Sequence, residues 1–347
     1  MLETEHLARF SLIYLVLFLQ IFAQRIPIHE VDSLLTSGIQ QILYQNYENA
    51  ELIFNELTDK FPENPLGNIY RATAKIAKSV DYEEELDEDS IDSLLSSAET
   101  QTNKLLDRDD DNLWYNYYDA LIYGYRAYYY SISSNLVSAF ADGILSLNRL
   151  QKCLEIDNNF NEALIAQGIY KYWKSAQTKS LNWLPFVKDE REDGIRLLEN
   201  SLKHNSYNFY LAAYSLIWIY IDNNQSDKAV VLGEKMLKEY PGSRFFRWGL
   251  ARAYQDISKE KAIEIYSEIL NSVQQIKNRN FYNDLVLKHK IAMLDFDLKK
   301  YDEAYKLCSE ILDFNIKSTQ IKERLENRLD RVKELKRELE DILIVKK

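Results

Sequence analysis

Apolar residues recur along this chain at intervals of three and four, and that spacing predicts helices rather than strands. The last segment is the plainest case. In STQIKERLENRLDRVKELKRELEDILIVKK, the residues Ile321, Leu325, Leu329, Val332, Leu335, Leu339 and Ile342 mark one stripe of a single long amphipathic helix. Further upstream the same periodicity comes in paired runs separated by polar or proline punctuation. GIQQILYQNYENAELIFNELTDKFPENP holds Gly38, Ala50, Phe54 and Pro62 at offsets of 12, 4 and 8. IWIYIDNNQSDKAVVLGEKMLKEYPGS keeps Tyr220, Ala229 and Pro241 in that register. ARAYQDISKEKAIEIYSEIL repeats it with Ala251, Tyr254, Ala262 and Tyr266, one residue shorter, and AMLDFDLKKYDEAYKLCSEIL with Ala292, Ala304 and Cys308. A small side chain on each of two facing helices lets them approach closely. One such pair cannot bury its apolar face alone, so successive pairs must stack.

These residues resemble the tetratricopeptide repeat (TPR), a helix–turn–helix of about 34 residues. The resemblance implies an all-α fold: a right-handed superhelix (α-solenoid) of about seven helix pairs with a long C-terminal capping helix. Four repeats are clear, at about 31–64, 210–243, 244–277 and 285–318. Three are degenerate, at about 65–112, 113–160 and 161–209, each with an insertion or an extended helix. The acidic DYEEELDEDS (Asp81–Ser90) interrupts the first of these, YYYSISSN prolongs a helix of the second, and SAQTKSLNWLPFVKDERE (Ser175–Glu192) interrupts the third. The expected organisation is a solenoid over 24–318, with insertions near 79–90 and 175–192, and a cap over 319–347. A dimerising coiled coil is the rival reading of that last helix, although its seam covers only about three heptads.

Composition adjusts this picture in a few places. Only 9 glycines and 5 prolines occur in 347 residues, which favours long helices over frequent tight turns. A formal charge of −11 argues against a nucleic-acid partner, since such binding needs a basic face. The apolar stretch FSLIYLVLFLQIF (Phe10–Phe22) is shorter than the roughly 20 residues of a membrane span. It is followed by Ala23-Gln24, which suits signal-peptidase cleavage. Residues 1–23 therefore read as a signal peptide, with an uncleaved anchor or a buried helix as alternatives, and the chain as exported, into a Gram-negative periplasm. Export would permit a disulfide, but Cys153 and Cys308 fall in different repeats and read as two separate buried thiols.

The chemistry-bearing motifs are few. The histidines His6, His29, His204 and His289 form no HExxH pair, and the chain has no CxxC, phosphate loop or GxSxG. No enzyme activity, metal or cofactor is expected. DRDDDN places Asp107, Asp109 and Asp111 as in a calcium loop, but Asn112 and Tyr118 stand where glycine and glutamate belong. A helix-capping turn fits better.

The aromatics are the informative set, and WYNYYDALIYGYRAYYY (Trp114–Tyr130) packs nine into seventeen residues. In the TPR family the first helix of each repeat lines a concave groove. Carried over by register, the resemblance puts Trp114, Tyr117 and Tyr125 there, then Tyr172 and Trp173, Tyr214 and Trp218, and finally Phe245, Trp248 and Arg252. Tyr118, Ile122 and Tyr129 form a separate stripe expected in the core. The residues leave open whether the groove is vacant or filled by its own rings. Family members that clamp a terminal carboxylate use a lysine and an asparagine where this chain has Leu35 and Ile39, so that mode is not expected. Arg244, Arg247 and Arg252 either read an acidic ligand or pair with neighbouring carboxylates. The function these features imply is a non-enzymatic scaffold of the cell envelope that binds a protein or peptide. A glycan or small-ligand receptor using the same rings is the alternative, and the oligomeric state is left open.

Overall fold

The computed structural model describes residues 25–178 and 188–345. Among the described residues every regular element is an α-helix, and fifteen follow in order. They are α1 (His29–Leu43), α2 (Tyr47–Lys60), α3 (Leu66–Tyr82), α4 (Glu88–Leu106), α5 (Leu113–Ile132), α6 (Leu136–Ile156), α7 (Asn161–Gln177) and α8 (Arg191–Ser201). Then come α9 (Phe209–Asp222), α10 (Ser226–Glu239), α11 (Arg244–Tyr254), α12 (Lys259–Gln274), α13 (Tyr282–Asp297), α14 (Tyr301–Leu312) and α15 (Thr319–Val345). The first fourteen make seven helix pairs, and α15 follows them, as the repeat pattern predicts.

The chain divides into two compact units. The first contains the described residues of 25–41, Glu48–Thr73 and Glu88–Ala212; the second contains Ile42–Tyr47, Ala74–Asp87 and 213–345.

In the first unit, close packing is set by missing or small side chains. A Cβ on Gly38 would lie 2.3 Å from Cε1 of the buried Phe54 ring. A Cβ on Gly194 of α8 would lie 2.6 Å from the carbonyl oxygen of Gly168 on α7, so these two backbones touch. Between α5 and α6, Ser146 Oγ donates to the Ala120 carbonyl at 2.8 Å and faces Gly124. The capping reading of DRDDDN holds: Asn112 Oδ1 accepts from the backbone N–H of Trp114 (3.1 Å) and Tyr115 (3.4 Å) at the start of α5.

In the second unit, Gly233 of α10 faces Leu250 of α11 at 3.1 Å from its would-be Cβ. One apolar cluster gathers Leu250, Ala251, Tyr254, Ala262, Tyr266, Ile269, Leu287 and Ile291. A second joins Leu285, Ala292, Ala304, Cys308 and Ile311 to Ile321, Leu325, Val332 and Leu339 of α15. The amphipathic stripe of α15 is therefore consumed in covering the last pair. Cys153 and Cys308 are both buried and free, and burial pushes their thiols up to about 12 and about 11.

With glycine scarce, the tight turns place other residues in the left-handed region: Ser134, Asn224 and Lys299 have φ of 64°, 55° and 62°. Each closes its helix with the long backbone bond of a Schellman turn, Asn135 N to Tyr130 O (2.9 Å), Gln225 N to Tyr220 O (2.7 Å) and Lys300 N to Asp295 O (2.8 Å).

Candidate functional site

The alanines that carry the repeat register are fully buried. Ala50, Ala229, Ala251, Ala262, Ala292 and Ala304 are each 0% exposed. They sit at helix–helix contacts in pairs one, five, six and seven, in the order the sequence pattern gives. The fold is an all-α series of helix pairs of the kind the tetratricopeptide resemblance implies. Neither a family model nor a curated protein matches its sequence. Solved structures similar to it include PilW, a type IV pilus biogenesis factor, at 16% identity and a TM-score of 0.45, over 73% of this chain and 98% of that one. A tetratricopeptide repeat protein from Parabacteroides merdae is similar at 13% identity and 0.36, over 90% and 99%. An IFIT1 monomeric mutant with Gppp-AAAA is similar at 12% and 0.45; this chain matches over 80% of its own length and 58% of that protein's. These superpositions add nothing to what the helix pairs themselves establish.

The ten residues expected to line a groove divide between the two units and differ in exposure. In the first unit, Trp114, Tyr117 and Tyr172 are buried side chains that present no surface to a ligand. The Trp114 ring meets Tyr117, Phe160 and Tyr207 edge-on, with centroids at 5.9, 5.3 and 6.1 Å. Tyr207 lies in the connection before α9, so the chain closes over the first turn of α5. Residues 25–32 fasten that closure: Ile26 N donates to Tyr207 Oη (3.1 Å), Arg25 stacks on the ring at 4.9 Å, and Tyr207 also bonds Asp32. Tyr172 is sealed by the Gly168–Gly194 contact beside it. Trp173 stays half-buried, edge-on to Tyr172 at 5.2 Å. Tyr118, Ile122 and Tyr129 are core, as their stripe implies.

Beneath the Trp114 cluster lies a polar knot that the sequence did not signal. Glu162, at the start of α7, accepts from the backbone N–H of Tyr207 (2.6 Å) and Asn208 (3.2 Å) and from Tyr117 Oη (3.4 Å). Asn208 Nδ2 donates to the same Tyr117 oxygen at 2.6 Å. Burial pushes the Glu162 carboxyl up to about 7 despite those donors. Tyr125 sits among the hydroxyls of Tyr70, Thr73 and Tyr210, half-buried, its own hydroxyl pushed up by burial.

The first unit also leaves an apolar helix face uncovered. Only Ser146 and Cys153 of the twenty-one residues of α6 are buried. Leu136, Val137 and Phe140 are 68%, 84% and 72% exposed, and Ile144 follows on the same face. Surface apolar groups clustered in this way mark contact surfaces. A signal existed in the sequence: α6 carries more apolar residues than one core-facing stripe needs.

In the second unit the other five expected residues all stay half-buried: Tyr214 and Trp218 on α9, Phe245, Trp248 and Arg252 on α11. The two helices meet at Gly249, whose would-be Cβ lies 2.8 Å from Ile217 Cγ2 and 3.8 Å from Trp218 Nε1. Tyr214 stands edge-on to Trp218 at 6.3 Å, and Trp248 to Tyr266 at 5.8 Å. Phe245, Trp248 and Arg252 share one face of α11 by their spacing of three and four. The three arginines of RFFRWGLAR pair within the chain: Arg244 with Asp81, Arg247 with Glu268 (3.1 Å) and Arg252 with Asp256 (3.0 Å).

The Arg244–Asp81 pair is buried and built on both sides. Arg244 Nε donates to Asp81 Oδ1 at 2.9 Å, Tyr47 Oη donates to Asp81 Oδ2 at 2.9 Å, and Asn283 Nδ2 donates to the Asp81 carbonyl at 2.9 Å. The acidic insertion thus begins as a structural element, while Glu84, Glu85, Glu88 and Asp89 are exposed. Its Glu83 pairs with Arg324 of α15.

Helix α15 packs on both α13 and α14, as the first helix of a further pair would. It brings Arg324, Arg328 and Arg331 onto one face, and Arg328 Nη1 donates to the buried His289 Nδ1 of α13 at 3.1 Å. Among the described residues, no group of three His, Cys, Asp or Glu side chains is arranged to hold a metal ion. The signal-peptide reading of residues 1–23 and the part of the insertion at 179–187, with Trp183, lie outside the described residues.

Proposed function

We propose that this chain is a non-enzymatic scaffold that binds a protein or peptide along the face formed by α9, α11 and α13 in its second unit. The observation that carries the reading is the contrast in burial. In the first unit Trp114, Tyr117 and Tyr172 are closed over and two of the five, Tyr125 and Trp173, stay half-buried, whereas in the second Tyr214, Trp218, Phe245 and Trp248 all keep part of their surface, on first helices of successive pairs. Aromatic rings beside a charged side chain are the residue types that concentrate binding energy at protein interfaces. A partial ring surface suits a peptide chain laid across it; a glycan receptor would need an open ring face for stacking.

The envelope is the compartment this reading favours, on the strength of the apolar Phe10–Phe22 stretch and Ala23 after it. Among the described residues no helix is long and apolar enough to cross a membrane. Mass spectrometry of the protein from the envelope fraction should find a chain beginning at Gln24; an intact Met1 would contradict cleavage.

Partner capture tests the scaffold reading itself. Trp218→Ala and Trp248→Ala should each reduce recovery of a specific co-purifying protein by about tenfold, the loss of roughly 1.4 kcal/mol expected of an interface aromatic. Unchanged recovery of every partner by folded variants would overturn the assignment of this face. Release by a simple glycan would transfer it to the receptor reading.

A further inference from the structure

The chain carries a formal charge of −11, yet one place in its second unit gathers cations that no carboxylate answers. Arg244, Arg247, Arg252, Arg279 and Arg324 each pair with an acidic side chain. Lys290 of α13 and Arg328 and Arg331 of α15 pair with none among the described residues. Arg328 spends a donor on the neutral His289 ring at 3.1 Å, and Arg331 Nε donates only to the Asn327 carbonyl at 3.3 Å. Lys290 Nζ stands 5.6 Å from the centre of the Tyr266 ring, which itself meets Trp248. Lys290 and Arg328 are half-buried, and burial together with the neighbouring cations lowers both. Partly desolvated like charges with no counter-ion are held at a cost in free energy, which an anion from outside the chain would relieve.

The same helix shows what such an anion looks like. One turn before Arg328, Arg324 has its guanidinium carbon over the Tyr282 ring, 4.3 Å from the ring centre, pairs with the Glu83 carboxylate and donates to the Glu83 carbonyl at 3.2 Å. Glu83 belongs to the acidic insertion of this chain. An acidic peptide segment therefore already occupies the first position of the arginine row, and the next two positions stand without one.

We propose that Lys290, Arg328 and Arg331 form a docking site for an acidic segment of a partner protein, whose carboxylates continue along α15 from the position held by Glu83. This deepens the scaffold reading and rests on it. Trp248, packed against the apolar clusters of both α12–α13 and α13–α15, supplies the apolar border. A peptide fits better than a nucleic acid. Three cations make a short footprint, whereas a polyphosphate strand draws its affinity from many contacts and would meet the acidic remainder of the chain.

The test uses the full chain and a fluorescent peptide of sequence DYEEELDEDS, a copy of the insertion that docks on Arg324. Its partners in the assay are a neutral version with Gln and Asn at the acidic positions and a single-stranded RNA of equal charge. Fluorescence anisotropy should show binding of the acidic peptide that weakens with salt and no binding of the neutral one. Arg331→Glu, at an exposed position, and Lys290→Glu should each weaken it at least tenfold. Arg328→Lys should stay within about threefold. Thermal melting establishes that each variant is folded. Equal binding by the charge-reversed variants, equal binding of the neutral peptide, or preferential binding of the RNA would overturn the proposal. If partner capture still depends on Trp218 and Trp248 while these charges are silent, the docking chemistry is wrong and the scaffold reading stands. If neither set matters, both fall.

Discussion

Two buried ionisable side chains make opposite demands on the fold as pH changes. Glu162 is held up to about 7 by burial, from an ordinary value of 4.5. Its folded form resists ionisation, so it costs nothing below pH 4.5 and increasingly destabilises the fold as pH rises towards 7, by roughly 3 kcal/mol in all. His289 is pushed down to about 4 by burial and by Arg328, Arg331 and Lys290. It costs nothing above pH 6.5 and destabilises the fold as pH falls from there towards 4. Between pH 4.5 and 6.5 the two partly cancel. Urea unfolding of wild type and Glu162→Gln across this range should therefore show the wild type's advantage shrinking as pH rises, with the variant the more acid-sensitive protein. A constant difference between the two curves would contradict the assignment. Glycines give a second contrast at this scale. A Cβ at Gly194 meets backbone at 2.6 and 2.9 Å, whereas nothing lies within 4 Å of one at Gly143 in α6. Gly194→Ala should destabilise by about 1–3 kcal/mol and Gly143→Ala should stabilise by about 0.5–1 kcal/mol, both read from thermal or urea unfolding.

At the scale of elements, the acidic insertion and α15 are the parts whose roles exceed their sequence signatures. Asp81 anchors the end of α3 by a buried pair to Arg244, with Tyr47 and Asn283 completing its bonds. Asp81→Ala would leave Arg244 buried without a partner, and a loss of about 3–5 kcal/mol in unfolding free energy is expected. Replacing Asp81 and Arg244 together by apolar residues of similar size should recover much of that loss. The stripe on α15 was legible because a 3.6-residue period survives in any sequence that buries one face. Lys290, Arg328 and Arg331 were not, because lacking a carboxylate partner is a property of what lies nearby in space. Arg252 shows the same limit from the other side: its sequence left ligand contact and internal pairing equally open, and in the fold Asp256 one turn on pairs with it.

For the molecule as a whole, the repeat register was legible because small residues at helix contacts are a steric requirement that recurs at fixed spacing. Gly38, Ala50, Ala229, Ala262 and Ala304 all occupy such contacts. Exposure was legible in part, since Tyr125 and Trp173 of the irregular pairs also stay half-buried. Pairs five and six gave Tyr214, Trp218, Phe245 and Trp248 in half-buried positions. In the irregular pairs three and four, Trp114 and Tyr117 are covered by Phe160 and Tyr207, and Tyr172 by a glycine contact. Register gives a side chain its helix face but carries no information about a segment many residues away that closes over it. The exposed Leu136, Val137 and Phe140 of α6 were missed for a related reason, since an apolar residue reads as core until its neighbours are known.

The central claim is that partner binding belongs to the face bearing Trp248 and the unpaired cations. Photo-cross-linking in the native cell addresses it most directly, with a benzophenone amino acid placed at Trp248 or at Val231, an exposed position on the second helix α10. A discrete protein adduct from position 248 and none from position 231 is the predicted result. Adducts of equal yield from both positions, or from 231 alone, would contradict it.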